Sequence, residues 1–156
     1  IILDKDLFNQ GIKPAINIGL SISRIGRAAQ LPMMRELASE LKLELAQYQE
    51  VKRFTRFGTD VDKTTKKQIE RGKRIEQFLI QPIHQPLSYA EQIVILLAIV
   101  SGFFDNIDPL KISDSEKQLM QYLHKKGADI LAKINKEGTA NEEIRNKLMA
   151  IYNEYL

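Results

Sequence analysis

SYAEQIVILLAIVSGFF, residues 88–104, is the stretch around which the rest of the chain has to be arranged. Ser88 and Glu91 stand three apart and form a capping box, in which each side chain accepts from the other's orphan backbone N–H at the start of a helix. From Ile93 to Phe104 nearly every face is apolar, the pattern of a helix buried on all sides at the centre of a bundle. The unbroken apolar run 93–100 has eight residues, against about 20 for a membrane span, so no transmembrane helix and no direct membrane insertion is encoded.

On the N-terminal side, Met34, Leu37, Leu41, Leu45 and Tyr48 recur at three- and four-residue steps. The stripe continues through Val51 and Phe54 and predicts a long amphipathic helix that opens at Pro32 and ends near Gly58. A second helix begins after Asp60 or Asp62, turns Ile69, Ile75, Phe78 and Leu79 inward, and is stopped by Pro82 and Pro86, leaving PIHQP as a loop. On the C-terminal side, Ser113 with Glu116 and Thr139 with Glu142 repeat the capping-box spacing, and Gly127 and Gly138 suit helix ends.

Residues 15–23, AINIGLSIS, obey another rule. Ile16, Ile18, Leu20 and Ile22 alternate with small or polar residues, the period of a half-buried strand. A lone strand leaves both edges unpaired, so its sheet has to come from elsewhere. The expected fold is therefore mainly α: a bundle of about five to seven helices preceded by a short strand from the edge of an α/β domain.

Length and composition agree: 156 residues, 44% hydrophobic and 28% charged, describe one globular domain. The opening IILDKDLF has neither an initiator Met nor the pattern of a signal peptide, and reads as the inside of a longer protein. A net charge of +3, spread over a mixed surface, gives no case for nucleic acid. Without cysteine there is no disulfide framework, thiolate metal site or cysteine nucleophile. The phosphate loop GxxxxGK[ST], the GxGxxG turn, HExxH and the calcium loop are all missing, which argues against nucleotide hydrolysis by this chain alone. His84 and His124 have no second ligand at metal spacing and read as solvated loop and helix-end residues. Residues 50–76 carry nine Lys or Arg against five Asp or Glu, either a solvated face or a surface for an acidic partner. Arg24, directly after the strand and two residues before Gly26, is either a surface ion-pair residue or a guanidinium projected at a neighbour.

GIKPAINIGLSISRIGRAAQ (11–30), KLELAQYQEV (42–51), FTRFGTDVDKTT (54–65), ERGKRIEQFLIQP (70–82) and PLSYAEQIVILLAIVSGFFDNI (86–107) closely resemble the C-terminal part of the α subunit of F-type ATP synthase. The resemblance covers most of residues 3–107 and fades after about Asp108. It implies a division into 1–30, the edge of a nucleotide-binding domain, and 31–156, a helical domain. It also implies an alternating hexamer with β subunits and the rest of α, a central γ subunit and peripheral-stalk subunits. The expected location is the matrix side of the mitochondrial inner membrane or the cytoplasmic face of a bacterial membrane.

By the same resemblance, Arg24 is an arginine finger reaching into a neighbouring β subunit's catalytic site, with Ser21, Ser23 and Arg27 in the same interface loop. Arg27 stands where a small Ser is usual. Pro14, Gln81 and Lys13 belong to a noncatalytic adenine pocket. Lys13 replaces a usual Arg and Ile83 a frequent Gln, so the wall loses planar stacking and an amide. Phe54, Phe57, Asp60 and Asp62 lie in the segment that approaches the rotor. ATP or ADP with Mg is implied for the assembled complex, with none held by this chain alone.

Overall fold

The computed structural model describes residues 1–55, 62–137 and 141–155. Among the described residues eight helices run in order: α1 (Lys5–Asn9), α2 (Arg24–Ala29), α3 (Pro32–Thr55), α4 (Lys63–Phe78), α5 (Tyr89–Val100), α6 (Ile112–Lys126), α7 (Ala128–Glu137) and α8 (Glu142–Tyr155). The last six form the bundle, within the expected five to seven.

At its centre, α5 buries Ala90, Ile93, Val94, Ile95, Leu97, Ala98 and Ile99. Its capping box is formed: Ser88 N–H donates to Glu91 Oε2 (2.6 Å) and Glu91 N–H to Ser88 Oγ (3.3 Å). A third orphan donor, Ala90 N–H, is taken by Asn135 Oδ1 of α7 (3.0 Å). Helices α3, α7 and α8 pack directly against α5, while α4 packs on α3 and α6 on α4, α7 and α8. Tyr152 of α8 is fully buried and donates its hydroxyl to Val94 O (2.7 Å), which fixes α8 against the middle of α5. Phe78, Phe103 and Phe104 complete the core with ring centroids 4.4 and 4.9 Å apart.

Against α3, α4 is held at short range. Gly72 lies against the Tyr48 ring so closely that a Cβ there would overlap ring carbons. Arg71 donates to both oxygens of Glu44, to Asp105 Oδ1 (2.6 Å) and to the carbonyls of Ile99 and Val100, joining α3, α4 and the end of α5. Glu76 accepts from Tyr48 Oη (3.0 Å), Gln49 Nε2 (3.0 Å) and Lys52 Nζ (3.1 Å).

Several expectations are corrected. No strand forms over 15–23: a single antiparallel bridge joins Leu3 to Ile16, and the chain then turns. Asn17 makes that turn, accepting from Leu20 N–H through Oδ1 (3.0 Å) and donating through Nδ2 to Asp4 (2.9 Å). With one bridge partner in the chain, the local side-chain bonds of Asn17 win over an extended ladder. Leu20 and Ile22 are left exposed.

Phe54 does not continue the α3 stripe and is 66% exposed. From Leu45 the steps to 48, 51 and 54 are all of three residues, each falling about 60° short of a full turn, so Phe54 comes round to the opposite face. Ser113 is not a cap. Asp108 caps a 3₁₀ turn (Pro109–Lys111) that runs straight into α6, so Ser113 and Glu116 already lie inside that helix. Thr139, Gly138 and Gly58 lie outside the described residues, and the side chain of Asn141 takes the N–H of Ile144 at the start of α8 (3.0 Å).

Inside α6, burial pushes the Glu116 carboxyl up to about 7, against a smaller opposing pull from Lys117. In the unfolded chain the same group titrates near its ordinary 4.5. The folded state therefore binds more protons between those values, and stability falls as pH rises from about 4.5 to 7. Glu116→Gln is expected to flatten that slope and to stabilise the fold above pH 7 by on the order of 2 kcal/mol, read from urea unfolding at pH 5 and pH 8. An unchanged slope would remove Glu116 as its source.

Candidate functional site: an exposed guanidinium and an apolar groove

The N-terminal arm, residues 1–31, presents two features. In the first, Ser23 caps α2 by accepting from Gly26 N–H (3.0 Å), and Arg24 is the first residue of that helix. Gly26 permits this cap, because a Cβ there would collide with Ser23 Oγ. Ser21 accepts from Ile2 N–H through Oγ (3.0 Å) and from Lys42 Nζ through its carbonyl (3.4 Å). Arg35 of α3 donates to Ala28 O (3.3 Å) and Gln30 O (3.0 Å), so both ends of the α2 segment are tied to α3.

Arg24 itself is exposed and makes no hydrogen bond or ion pair with another described residue. Its frame is apolar: Ile22 is 79% and Ile25 84% exposed. A cation in the first turn of a helix faces the positive end of the dipole, at a cost of about 0.3–1 kcal/mol. This guanidinium is thus presented against local preference, among side chains that would gain from being covered. Arg27, exposed on the last turn of α2, sets a second positive charge on the same short helix.

The second feature is a groove of about 500 Å³ between the arm and the loop that follows α4. Gln81 N–H donates to Lys13 O (2.9 Å) and brings the two segments together. Lys13, Pro14, Gln81 and Ile83, four positions singled out from the sequence, line it together. Phe8, His84 and Pro86 line it as well. The first lies 5 residues before Lys13, and Lys13 Nζ sits 4.8 Å from its ring centroid. Neither Phe8 nor His84 carried a pattern that ties it to a residue some seventy positions away. The lining is mostly apolar, with three prolines and Phe8, and holds a lysine but no carboxylate, which suits a planar ring on an anionic ligand.

Four of the nine basic residues of the stretch 50–76 are engaged within the fold, and Arg53, Lys63, Lys66 and Lys67 are exposed. Lys52 pairs with Glu76, Arg71 with Glu44 and Asp105, and Lys73 with Glu70, while Arg74 Nε donates to Ile107 O (2.6 Å). A free-standing adaptor that grips an acidic partner through residues 52–74 would have to use the exposed cations. Asp62 caps α4, accepting from Thr65 N–H (2.7 Å), and these bonds hold its carboxyl below the usual range. Phe57 and Asp60 lie outside the described residues. His124 Nε2 is 3.1 Å from Glu91 Oε1, at the capping box of α5. Among the described residues no three His, Asp or Glu side chains converge at metal-binding spacing, and no helix is long and apolar enough to cross a membrane.

These features define a helical bundle with an N-terminal arm that carries an exposed arginine and borders a mostly apolar groove. Residues 30–155 match the family model of the ATP synthase alpha/beta chain, C terminal domain, and the chain belongs to that family. Its relatives include ATP synthase subunit alpha of Thioalkalivibrio sulfidiphilus (strain HL-EbGR7), 43% identical over 155 residues, 99% of this chain and 30% of the relative. Mitochondrial ATP synthase subunit alpha of Schizosaccharomyces pombe (strain 972 / ATCC 24843) is 40% identical over 156 residues, all of this chain and 29% of the relative. The chain thus spans about 30% of the length of these relatives.

Proposed function

We propose that this chain is the C-terminal portion of a noncatalytic α subunit of a proton-translocating rotary ATP synthase, and that Arg24 acts in trans on nucleotide held by a neighbouring β subunit. The supporting observation is the unpaired guanidinium of Arg24 in its exposed aliphatic frame. Phosphoryl transfer spreads negative charge over the γ-phosphate oxygens, and a cation placed beforehand stabilises that charge without reorganisation. Ser23 and Gly26 set the start of α2, Arg35 and Lys42 hold the segment, and Ile22 and Ile25 would be covered by the β subunit.

The groove serves as the base-side wall of a noncatalytic ATP or ADP site, with the phosphates and Mg²⁺ held by the remainder of α. The helical bundle carries contacts to the γ subunit and the peripheral stalk, at the matrix face of the mitochondrial inner membrane or the cytoplasmic face of a bacterial one. Hydrolysis belongs to the assembly and not to this chain alone.

A photoreactive benzoylphenylalanine in place of Ile25 tests the arrangement. Irradiation of the assembled enzyme is expected to cross-link the chain to β in high yield. A fully assembled complex whose products contain no β would refute the interface.

A further inference from the structure

Two of the polar side chains that line the groove are engaged within it. Gln81 Nε2 donates to Gln85 O (3.0 Å) and closes the loop on itself, and Lys13 Nζ rests over Phe8. Ile83 offers no polar atom. His84, at the apex of the closed loop, makes no hydrogen bond or ion pair with another described residue. It is also the one described non-glycine residue with a positive φ, +61°. That backbone region costs free energy for an L side chain and recurs at ligand clamps, where surrounding structure enforces it. Here the Gln81–Gln85 bond closes the loop that carries it, and His84 lines the groove.

On the nucleotide reading given above, we propose that His84 is the residue that reads the edge of the bound base, and that it admits 6-amino and 6-oxo purines alike. A neutral imidazole carries one N–H donor and one bare nitrogen acceptor, and the two exchange by tautomerism or ring rotation. It can accept from the amino group of adenine or donate to the oxo group of guanine. Gln85, which also lines the groove, likewise offers both a donor and an acceptor. Strong discrimination arises only where a site presents a fixed donor or a fixed acceptor.

The test uses the assembled enzyme, photolabelled with 2-azido-ATP, with labelling of the peptide spanning residues 81–89 read by mass spectrometry. MgATP and MgGTP are expected to halve that labelling at concentrations within about threefold of each other, a gap smaller than one net hydrogen bond. His84→Arg, which can only donate, is expected to shift the ratio about tenfold toward MgGTP. His84→Asn tolerates the same backbone, keeps donor and acceptor, and should leave the ratio near that of the parent. An unchanged ratio in His84→Arg with labelling intact, or a parent preference for MgATP above about tenfold, overturns the role of His84 while leaving the groove a nucleotide site. No labelling of the groove in parent or variants overturns both.

Discussion

Arg24→Ala in the assembled enzyme is expected to lower steady-state ATP turnover by about a thousandfold, the lower end of what arginine fingers supply. The fold should be unaffected. Arg24 has no partner among the described residues, and losing a cation from the first turn of α2 relieves a small dipole penalty. Melting of the chain and the amount of complex recovered should therefore match the parent, which separates a chemical role from a structural one. Arg24→Lys keeps the charge but not the planar fork of donors, and is expected to recover part of the loss. Turnover within about threefold of the parent in Arg24→Ala, with intact assembly, would mean that the guanidinium does not reach a reacting phosphate.

Gly72→Ala carries the largest expected effect on stability, about 3 kcal/mol of destabilisation. Its sign is informative, because alanine would favour an isolated helix by about 1 kcal/mol. The added methyl would overlap the Tyr48 ring. That ring is buried, and its hydroxyl is bonded to Glu76, which also takes Gln49 and Lys52. The ring has little freedom to withdraw, so α4 has to move away from α3, straining the Arg71 bonds to Glu44 and to the end of α5. Urea unfolding of Gly72→Ala, Tyr48→Ala and the double variant reads the coupling. The double variant should be markedly more stable than the sum of the single losses predicts. Strict additivity would remove the steric account.

The central helix could be read from residues 88–104 because cap and core pattern agree there, and the structure forms both. α3 and α4 follow for the same reason, up to Phe54, where successive three-residue steps rotate the pattern off the core. Over 15–23 alternation states which face is apolar, but with Ile16 alone bridged within the chain the short-range bonds of Asn17 make a turn instead of a strand. Ser113 had the right spacing, but Asp108 and Pro109 start a helical turn upstream of it.

The arginine and four groove positions were accessible through long motifs resembling a known family. The groove as a shape was not, since Phe8 and His84 come to line one cavity where Gln81 bonds to Lys13 and the backbone at residue 84 is left-handed.

The two ties from α3 to the arm make that helix a strut. Arg35 grips the trailing carbonyls of α2, Lys42 grips the leading loop, and the same unbroken helix carries on to Thr55. At 24 residues it is about 36 Å long. A tilt of its far end, about 20–30 Å from these two ties, would therefore shift the mount of Arg24 as well, with no jointed relay between them.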